Sequence, residues 1–181
     1  MATLKHIDDI VEKIAGVLLV IFMGVIAIVI PVAVFTRYVL KIGLTWSDET
    51  SLFSLVWASM LGAAVGLRKG YHVGISYLIE KSPKFLSITL EAIAYLFILG
   101  FLIVLVIFST KQTILNTRQI SPAMRIPMAI PYAALPVGFA IMVLFTIEQI
   151  LDFIMRINKK ADSDSIEKNT PRVDIDTAKE D

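Results

Sequence analysis

Four apolar runs, each about as long as a bilayer-crossing helix, constrain this sequence more than any motif does. The runs cover residues 14–36, 50–67, 85–110 and 126–147, and Glu91 is the single charged residue inside them. A helix needs about 20 mainly apolar residues to cross the hydrocarbon core. Charged residues make up 18% of the chain, against about 25% in soluble domains. The sequence therefore predicts an all-α integral membrane protein with four transmembrane helices, and the lipid bilayer is its first expected partner.

Several function classes are excluded by what the chain lacks. It has no cysteine, which removes disulfides, thiol redox chemistry and cysteine-ligated metals. Its two histidines, His6 and His72, lie outside the apolar runs, so axial haem ligands within a bundle are missing. No catalytic triad spacing or phosphate-binding glycine loop occurs, and a net charge of +1 without a basic arm gives no basis for nucleic-acid binding. We expect neither an enzyme nor a bound cofactor or metal.

The distribution of basic residues predicts the orientation of the four helices. Short loops rich in Lys and Arg stay on the cytoplasmic side of the membrane. We therefore expect both termini to be cytoplasmic and the connection between the first two helices to face outward. Nine basic residues flank the runs on one side (Lys5, Lys13, Arg68, Lys69, Lys81, Lys84, Arg156, Lys159, Lys160) and five on the other (Arg37, Lys41, Lys111, Arg118, Arg125).

The segments around the runs predict three further features. Residues 71–81 carry Ile75, Leu78 and Ile79 at helical spacing, which predicts a short amphipathic helix in the cytoplasmic interface between the second and third spans. Four prolines between 122 and 136 predict that the fourth span begins late or with a kink. An acidic, polar stretch closes the sequence. We expect a four-helix membrane domain over 1–158 and a disordered cytoplasmic tail over 159–181.

The connection between the first two spans is the main candidate site. It gathers Arg37, Trp46, Asp48 and Glu49 between two uncharged runs. One interpretation is a surface that meets a partner outside the membrane. The other is an ion pair of Arg37 with Asp48 or Glu49 that only closes the hairpin, with the acids in the positive first turn of the second helix.

The remaining candidates concern packing and the cytoplasmic interface. Small residues spaced four apart allow close helix packing, and an intramembrane carboxylate is a functional candidate by default. For Glu91 we favour a structural or subunit-interface role, such as pairing with Arg68 or Lys69 at the end of the second helix, over ion coupling. The candidates are Ala58, Gly62 and Gly66 for packing, Glu91 as the intramembrane carboxylate, and Arg68, Lys69 and His72 at the cytoplasmic interface.

The order of several short motifs resembles the small membrane subunit of TRAP transporters, the DctQ-like family. These motifs are R-Y at 37–38, W-S-D-E at 46–49, F-S-L-V-W at 53–57, L-G-A-A-V-G-L-R-K-G-Y-H-V at 61–73 and I-P-M-A-I-P-Y-A-A-L-P-V-G at 126–138. The likeness covers about 8–153. Asp48 departs from the family, where two glutamates are common, but keeps the charge.

The resemblance implies a place in a tripartite, sodium-driven transporter of organic acids in the bacterial inner membrane. In such a system a periplasmic binding protein captures the substrate and a large membrane subunit moves it. The small subunit is thought to brace the scaffold of the large one, so this chain alone should not transport. Two other hypotheses stay open: a self-sufficient proton-coupled exporter that uses Glu91, and a membrane adaptor outside transport.

Overall fold

Every regular element in the described part of the chain is a helix. A computed structural model describes the main chain of residues 2–81 and 84–169 and the side chains of residues 5–69 and 88–158. The elements are α1 (Ala2–Tyr38), α2 (Thr45–Lys81), α3 (Lys84–Leu115), α4 (Ala129–Tyr132) and α5 (Ala134–Asn169), with one 3-10 turn at Asn116–Arg118. Four helical stretches are long and apolar enough to span a membrane: Lys5–Tyr38, Thr45–Lys69, Ile88–Arg118 and Ala129–Asn158. The predicted four-helix membrane fold is confirmed.

Helix α2 differs from the expectation of a separate interfacial helix. It continues from Thr45 to Lys81 as one helix of 37 residues, so residues 71–81 are helical but form its last turns. The reason is local: no proline interrupts the chain between these residues, and isolated glycines cost a helix only about 1 kcal/mol each. The side chains of 70–81 lie outside the described ones, so the interfacial location of this segment stays a prediction.

The fourth span begins with an interruption, as its prolines predict. The single turn α4 ends at Tyr132, Ala133 follows it, and α5 begins at Ala134. Pro131 and Pro136 cannot donate backbone hydrogen bonds to the preceding turn. Helix α5 ends at Asn169, so residues 159–169 of the expected tail are helical, whereas 170–181 lie outside the described residues. Disorder in the tail stays a prediction.

The chain divides into two compact units, 1–148 and 149–181. The apolar core of the first unit is centred on Ala64 of α2, Leu102 of α3, and Met142 and Phe145 of α5. Helix α1 packs along α2, where Phe22 and Trp57 stack with ring centroids 5.8 Å apart. This packing leaves large apolar areas of α1 and α3 exposed in the isolated chain, as expected of helices that meet lipid or another subunit.

Candidate functional site

Two polar clusters lie near opposite ends of the membrane segment of α2. The first, the hairpin-end cluster, consists of Arg37, Asp48, Glu49 and residues 121–124. The second, the Arg68 cluster, consists of Arg68, Lys69 and four acids of α1 and α5: Asp8, Asp9, Glu12 and Glu148. Glu49 and Arg68 are separated by 19 residues of helix, or about 28 Å at 1.5 Å per residue. Each membrane face of the bundle therefore carries its own polar anchor.

In the hairpin-end cluster, Arg37 at the end of α1 pairs with Asp48 in the first turn of α2. Arg37 Nη2 donates to Asp48 Oδ2 at 3.2 Å. The two side chains stay 55% and 70% exposed, and Trp46 beside them is 45% exposed. Exposed ion pairs contribute about 0–1 kcal/mol to stability. The pair thus adds little to the fold and leaves both charges available to another molecule.

Glu49 has a different role from its neighbour Asp48. Its carboxylate accepts hydrogen bonds from the hydroxyl of Ser121, from the backbone N–H of Ala123 at 3.0 Å and from that of Met124 at 2.9 Å. Backbone N–H groups in this loop have no helical partner, and a carboxylate is a strong acceptor for them. Glu49 therefore ties the start of α2 to the connection between α3 and α4.

The connection that Glu49 holds is itself a closed loop. Ser121 N donates to Ile126 O at 2.9 Å, and Met128 N donates to Gln119 O at 2.9 Å. Arg125 has a φ of 53°, a left-handed conformation that non-glycine residues adopt mainly in turns. Sequence reasoning missed Ser121 because its partner is 72 residues away and no local pattern links the two.

The three candidate packing residues of α2 differ in how closely another helix approaches them. Ala58 is buried, and a Cβ built on Gly62 would lie 3.6 Å from Leu19 Cδ1 of α1. A Cβ on Gly66 would meet nothing within 4 Å. The closest approach is instead at Gly138 of α5, where a Cβ would lie 2.8 Å from Met60 Cβ. The spacing of small residues in α2 gave no sign of Gly138, because that contact depends on how α5 lies across α2.

The Arg68 cluster centres on a guanidinium with most of its donors engaged. Arg68 Nη2 donates to Asp9 Oδ1 at 2.6 Å, Nη1 donates to Glu12 Oε2, and Nε donates to Glu148 Oε2 at 3.2 Å. Its side chain is 14% exposed and lies over the Phe145 ring, 5.2 Å from the centroid. A planar fork of five donors suits such multiple pairing. Arg68 thereby joins α1, α2 and α5 at one point.

The remaining candidates, Lys69, Glu91 and His72, differ in their surroundings. Lys69 is largely exposed, and its Nζ lies 3.3 Å from Glu12 Oε1. Glu91 is buried in α3, at 7% exposure. Arg68 and Lys69, the partners that the sequence suggested for Glu91, both bind carboxylates of other helices. The side chain of His72 lies outside the described residues. Among described side chains, no three or more His, Asp or Glu residues are grouped as a metal site would need.

Comparison with known proteins identifies the family. Residues 25–156 match the family described as Tripartite ATP-independent periplasmic transporters, DctQ component. The chain is 27% identical over 162 residues to the C4-dicarboxylate TRAP transporter small permease protein DctQ of Vibrio cholerae, a match that covers 76% of this chain and 70% of that protein. It is 34% identical over 110 residues to the protein of the same name from Rhodobacter capsulatus, covering 56% of this chain and 45% of that one.

A longer relative also contains a matching segment. The isethionate TRAP transporter permease protein DctMQ of Oleidesulfovibrio alaskensis is 28% identical over 101 residues, which are 54% of this chain and 16% of that protein. The family match over 25–156 extends across most of the chain and includes the end of α1 and the start of α2, which meet at the hairpin-end cluster. The chain therefore belongs to the DctQ family: it is a small permease subunit of a TRAP transporter, a multi-pass inner-membrane transport component and not an enzyme.

Proposed function

We propose that this chain braces the large membrane subunit of a sodium-driven TRAP transporter for organic acids, and that its hairpin end helps the periplasmic binding protein to dock. One observation carries the bracing role: the bundle is tied near both ends of the membrane segment of α2, by Glu49 to the connection after α3 and by Arg68 to α1 and α5. We expect helices joined in this way within residues 1–148 to move together. A unit of this kind beside a moving transport domain acts as a support.

The interior of the bundle favours a support over a transport path. Substrate and ion sites in secondary transporters usually lie at broken helices near the bilayer midplane. In the described part of this chain, α1, α2 and α3 run unbroken through their apolar segments, and the interruption at Ala133 lies near one end of the fourth. The relative named DctMQ, which joins the M and Q designations, supports a large subunit as the partner.

We propose that the large subunit binds to the exposed face of α3. Leu96 and Phe97 are each 74% exposed, and Phe101 is 56% exposed. These side chains flank Gly100 and form a groove of about 420 Å³. A glycine between large aromatic side chains lets a partner helix approach closely, which is how membrane helices associate without a hydrophobic driving force.

The hairpin end offers a separate surface for docking. The exposed Arg37–Asp48 pair lines part of a groove of about 480 Å³ between α1 and α2. Exposed charges of both signs steer and orient a soluble partner more than they stabilise the fold. The basic-residue count predicts that this end lies outside the cytoplasm, where a periplasmic binding protein would meet it.

Reconstitution tests the proposed function. The chain and the adjacent large permease would be copurified from the native host and placed in proteoliposomes with the binding protein. We expect organic-acid uptake that requires an inward sodium gradient and falls to background when either membrane chain is left out. Transport by this chain alone, abolished by Glu91→Gln, would contradict the bracing role and favour the exporter hypothesis. Failure of the two membrane chains to copurify would also contradict it.

A further inference from the structure

Asp8 is the least exposed acid of the Arg68 cluster. The residue is 1% exposed, and both carboxyl oxygens are buried without a hydrogen-bond donor. The other three acids of the cluster each accept at least one hydrogen bond from Arg68. Arg68 also contacts Asp8, but only at its backbone oxygen, 3.1 Å from Nη1. An ionised carboxylate buried without a donor is costly, so the charge state of Asp8 needs a physical explanation.

The ion pairs that Arg68 and Lys69 make already hold more negative than positive charge without Asp8. A negative charge on Asp8 would add to this excess, and it would lie against the Glu148 carboxylate. Like charges in contact disfavour ionisation of one partner. The groups in these ion pairs are Asp9 and Glu12 on α1, Arg68 and Lys69 on α2, and Glu148 on α5, which supply two positive and three negative charges.

Geometry identifies which of the two carboxyl groups holds a proton. Glu148 accepts from Arg68 through both oxygens, Oε2 from Nε at 3.2 Å and Oε1 from Nη2 at 3.3 Å. Such bidentate pairing requires an ionised carboxylate. Asp8 lies within hydrogen-bonding reach of the same Glu148 side chain. A protonated aspartic acid is a donor, so a proton on Asp8 gives both side chains a partner.

We propose that Asp8 binds a proton and donates it in a hydrogen bond to Glu148, which makes the junction of α1, α2 and α5 a proton-binding site. The Arg68–Glu148 pair holds the acceptor in place. Release of the proton puts two negative charges in contact and loosens the first turns of α1 from α5. The junction is thus stable when Asp8 is protonated and weakens as the pH rises.

Infrared spectroscopy of the full chain in lipid nanodiscs tests the proton directly. A protonated carboxyl group has a C=O band separate from that of carboxylates, and ¹³C-labelled aspartate shifts only the aspartate contribution. We expect a protonated aspartate band at neutral pH that is lost in Asp8→Asn and kept in Asp9→Asn. The Asn amide can donate to Glu148 in the same way, so this variant should fold. Glu91→Gln checks that the band does not come from Glu91, which is also buried.

Thermal melting gives a second, independent measurement. The wild-type melting temperature should fall by several degrees from mildly acidic to mildly alkaline pH, and Asp8→Asn should remove most of that fall while Asp9→Asn keeps it. A wild type without the protonated aspartate band, or an Asp8→Asn variant that keeps either signal, would overturn the proposal. Stabilisation of the wild type by Na⁺ that Asp8→Asn abolishes would assign a metal cation in place of the proton, and would overturn it as well.

Discussion

Arg68 and Glu148 bond through two parallel hydrogen bonds, Nε to Oε2 at 3.2 Å and Nη2 to Oε1 at 3.3 Å, although they are 80 positions apart in the chain. Both side chains are largely buried, at 14% and 11% exposure. The pair connects the middle of α2 to α5 at the point where the acids of α1 also converge. The Arg68–Glu148 pair is therefore internal to the bundle, whereas the Arg37–Asp48 pair at the hairpin end is exposed.

We predict that Arg68→Met destabilises the bundle strongly. Removal of one partner from a buried ion pair costs about 3–5 kcal/mol, because the other charge stays buried and uncompensated. Arg68→Lys should recover only part of the loss, since an ammonium cannot reproduce the forked pairing. Thermal unfolding in nanodiscs measures both. Lys69→Met, at an exposed neighbour, is the control and should change the stability by less than about 1 kcal/mol; equal effects at 68 and 69 would contradict the prediction.

Glu49→Ala should loosen the connection between α3 and α4 and leave the rest of the bundle intact. The substitution removes the acceptor for the N–H groups of Ala123 and Met124. Backbone groups that lose their partner exchange hydrogen faster. Hydrogen–deuterium exchange should show at least several-fold faster exchange confined to 119–128. Asp48→Ala is the matched control, because Asp48 pairs with the exposed Arg37 side chain and with no other side chain that the structure describes. The same acceleration in both variants would show that Glu49 is not the specific anchor.

Exchanging the charges of Arg37 and Asp48 distinguishes a role in docking the binding protein from a role in closing the hairpin. Asp48→Arg should weaken uptake by the assembled transporter without loss of assembly, since the pair is exposed. The double variant Arg37→Asp with Asp48→Arg restores the ion pair but inverts its direction. If the binding protein recognises these charges, the double variant stays impaired. Full recovery of uptake would mean that the pair only closes the hairpin.

Gly138→Ala should destabilise the contact between α5 and α2. The added Cβ would lie 2.8 Å from Met60 Cβ, which forces the helices apart, and overpacking of this kind costs about 1–3 kcal/mol. Gly24→Ala is the control, because a Cβ there meets nothing within 4 Å and alanine is the better helix former. Thermal unfolding should show a lower melting temperature for the first variant and an unchanged or higher one for the second; the reverse order would be inconsistent with the close approach at Gly138.

Gly100→Leu should reduce copurification with the large subunit and leave the isolated chain folded. A side chain at 100 fills the groove between Leu96, Phe97 and Phe101, and its Cβ meets no described atom of another helix within 4 Å. Gly24→Leu places the same side chain on another open surface, that of α1. Quantitative pull-down should show a loss of several-fold for position 100 and little change for position 24. Equal recovery of the large subunit would place the contact elsewhere.

The sequence by itself determined the number of membrane helices and the family. Uncharged runs of bilayer length predict spanning helices with no tertiary information. The prolines between 122 and 136 likewise predict the late start of the fourth span, since a missing N–H acts on its own helix. The order of motifs from Arg37 to Gly138 identifies the DctQ family. The helix number, the late start of the fourth span and the family each depend on residues close together in the sequence or on their order along it, so no tertiary contact is needed to predict them.

Only the tertiary structure decided how the polar residues are used. Asp48 and Glu49 are adjacent acids in one helical turn, yet Asp48 binds Arg37 and Glu49 binds a loop more than 70 residues away. The sequence predicted that Arg68 lies at the cytoplasmic interface. In the structure, the packing of α1 and α5 against α2 makes Arg68 the centre of an internal cluster in which Asp8 is buried. Neither outcome follows from the spacing of residues in the sequence. The partner of a side chain depends on which helix faces come together in the bundle, and these faces belong to segments far apart in the chain.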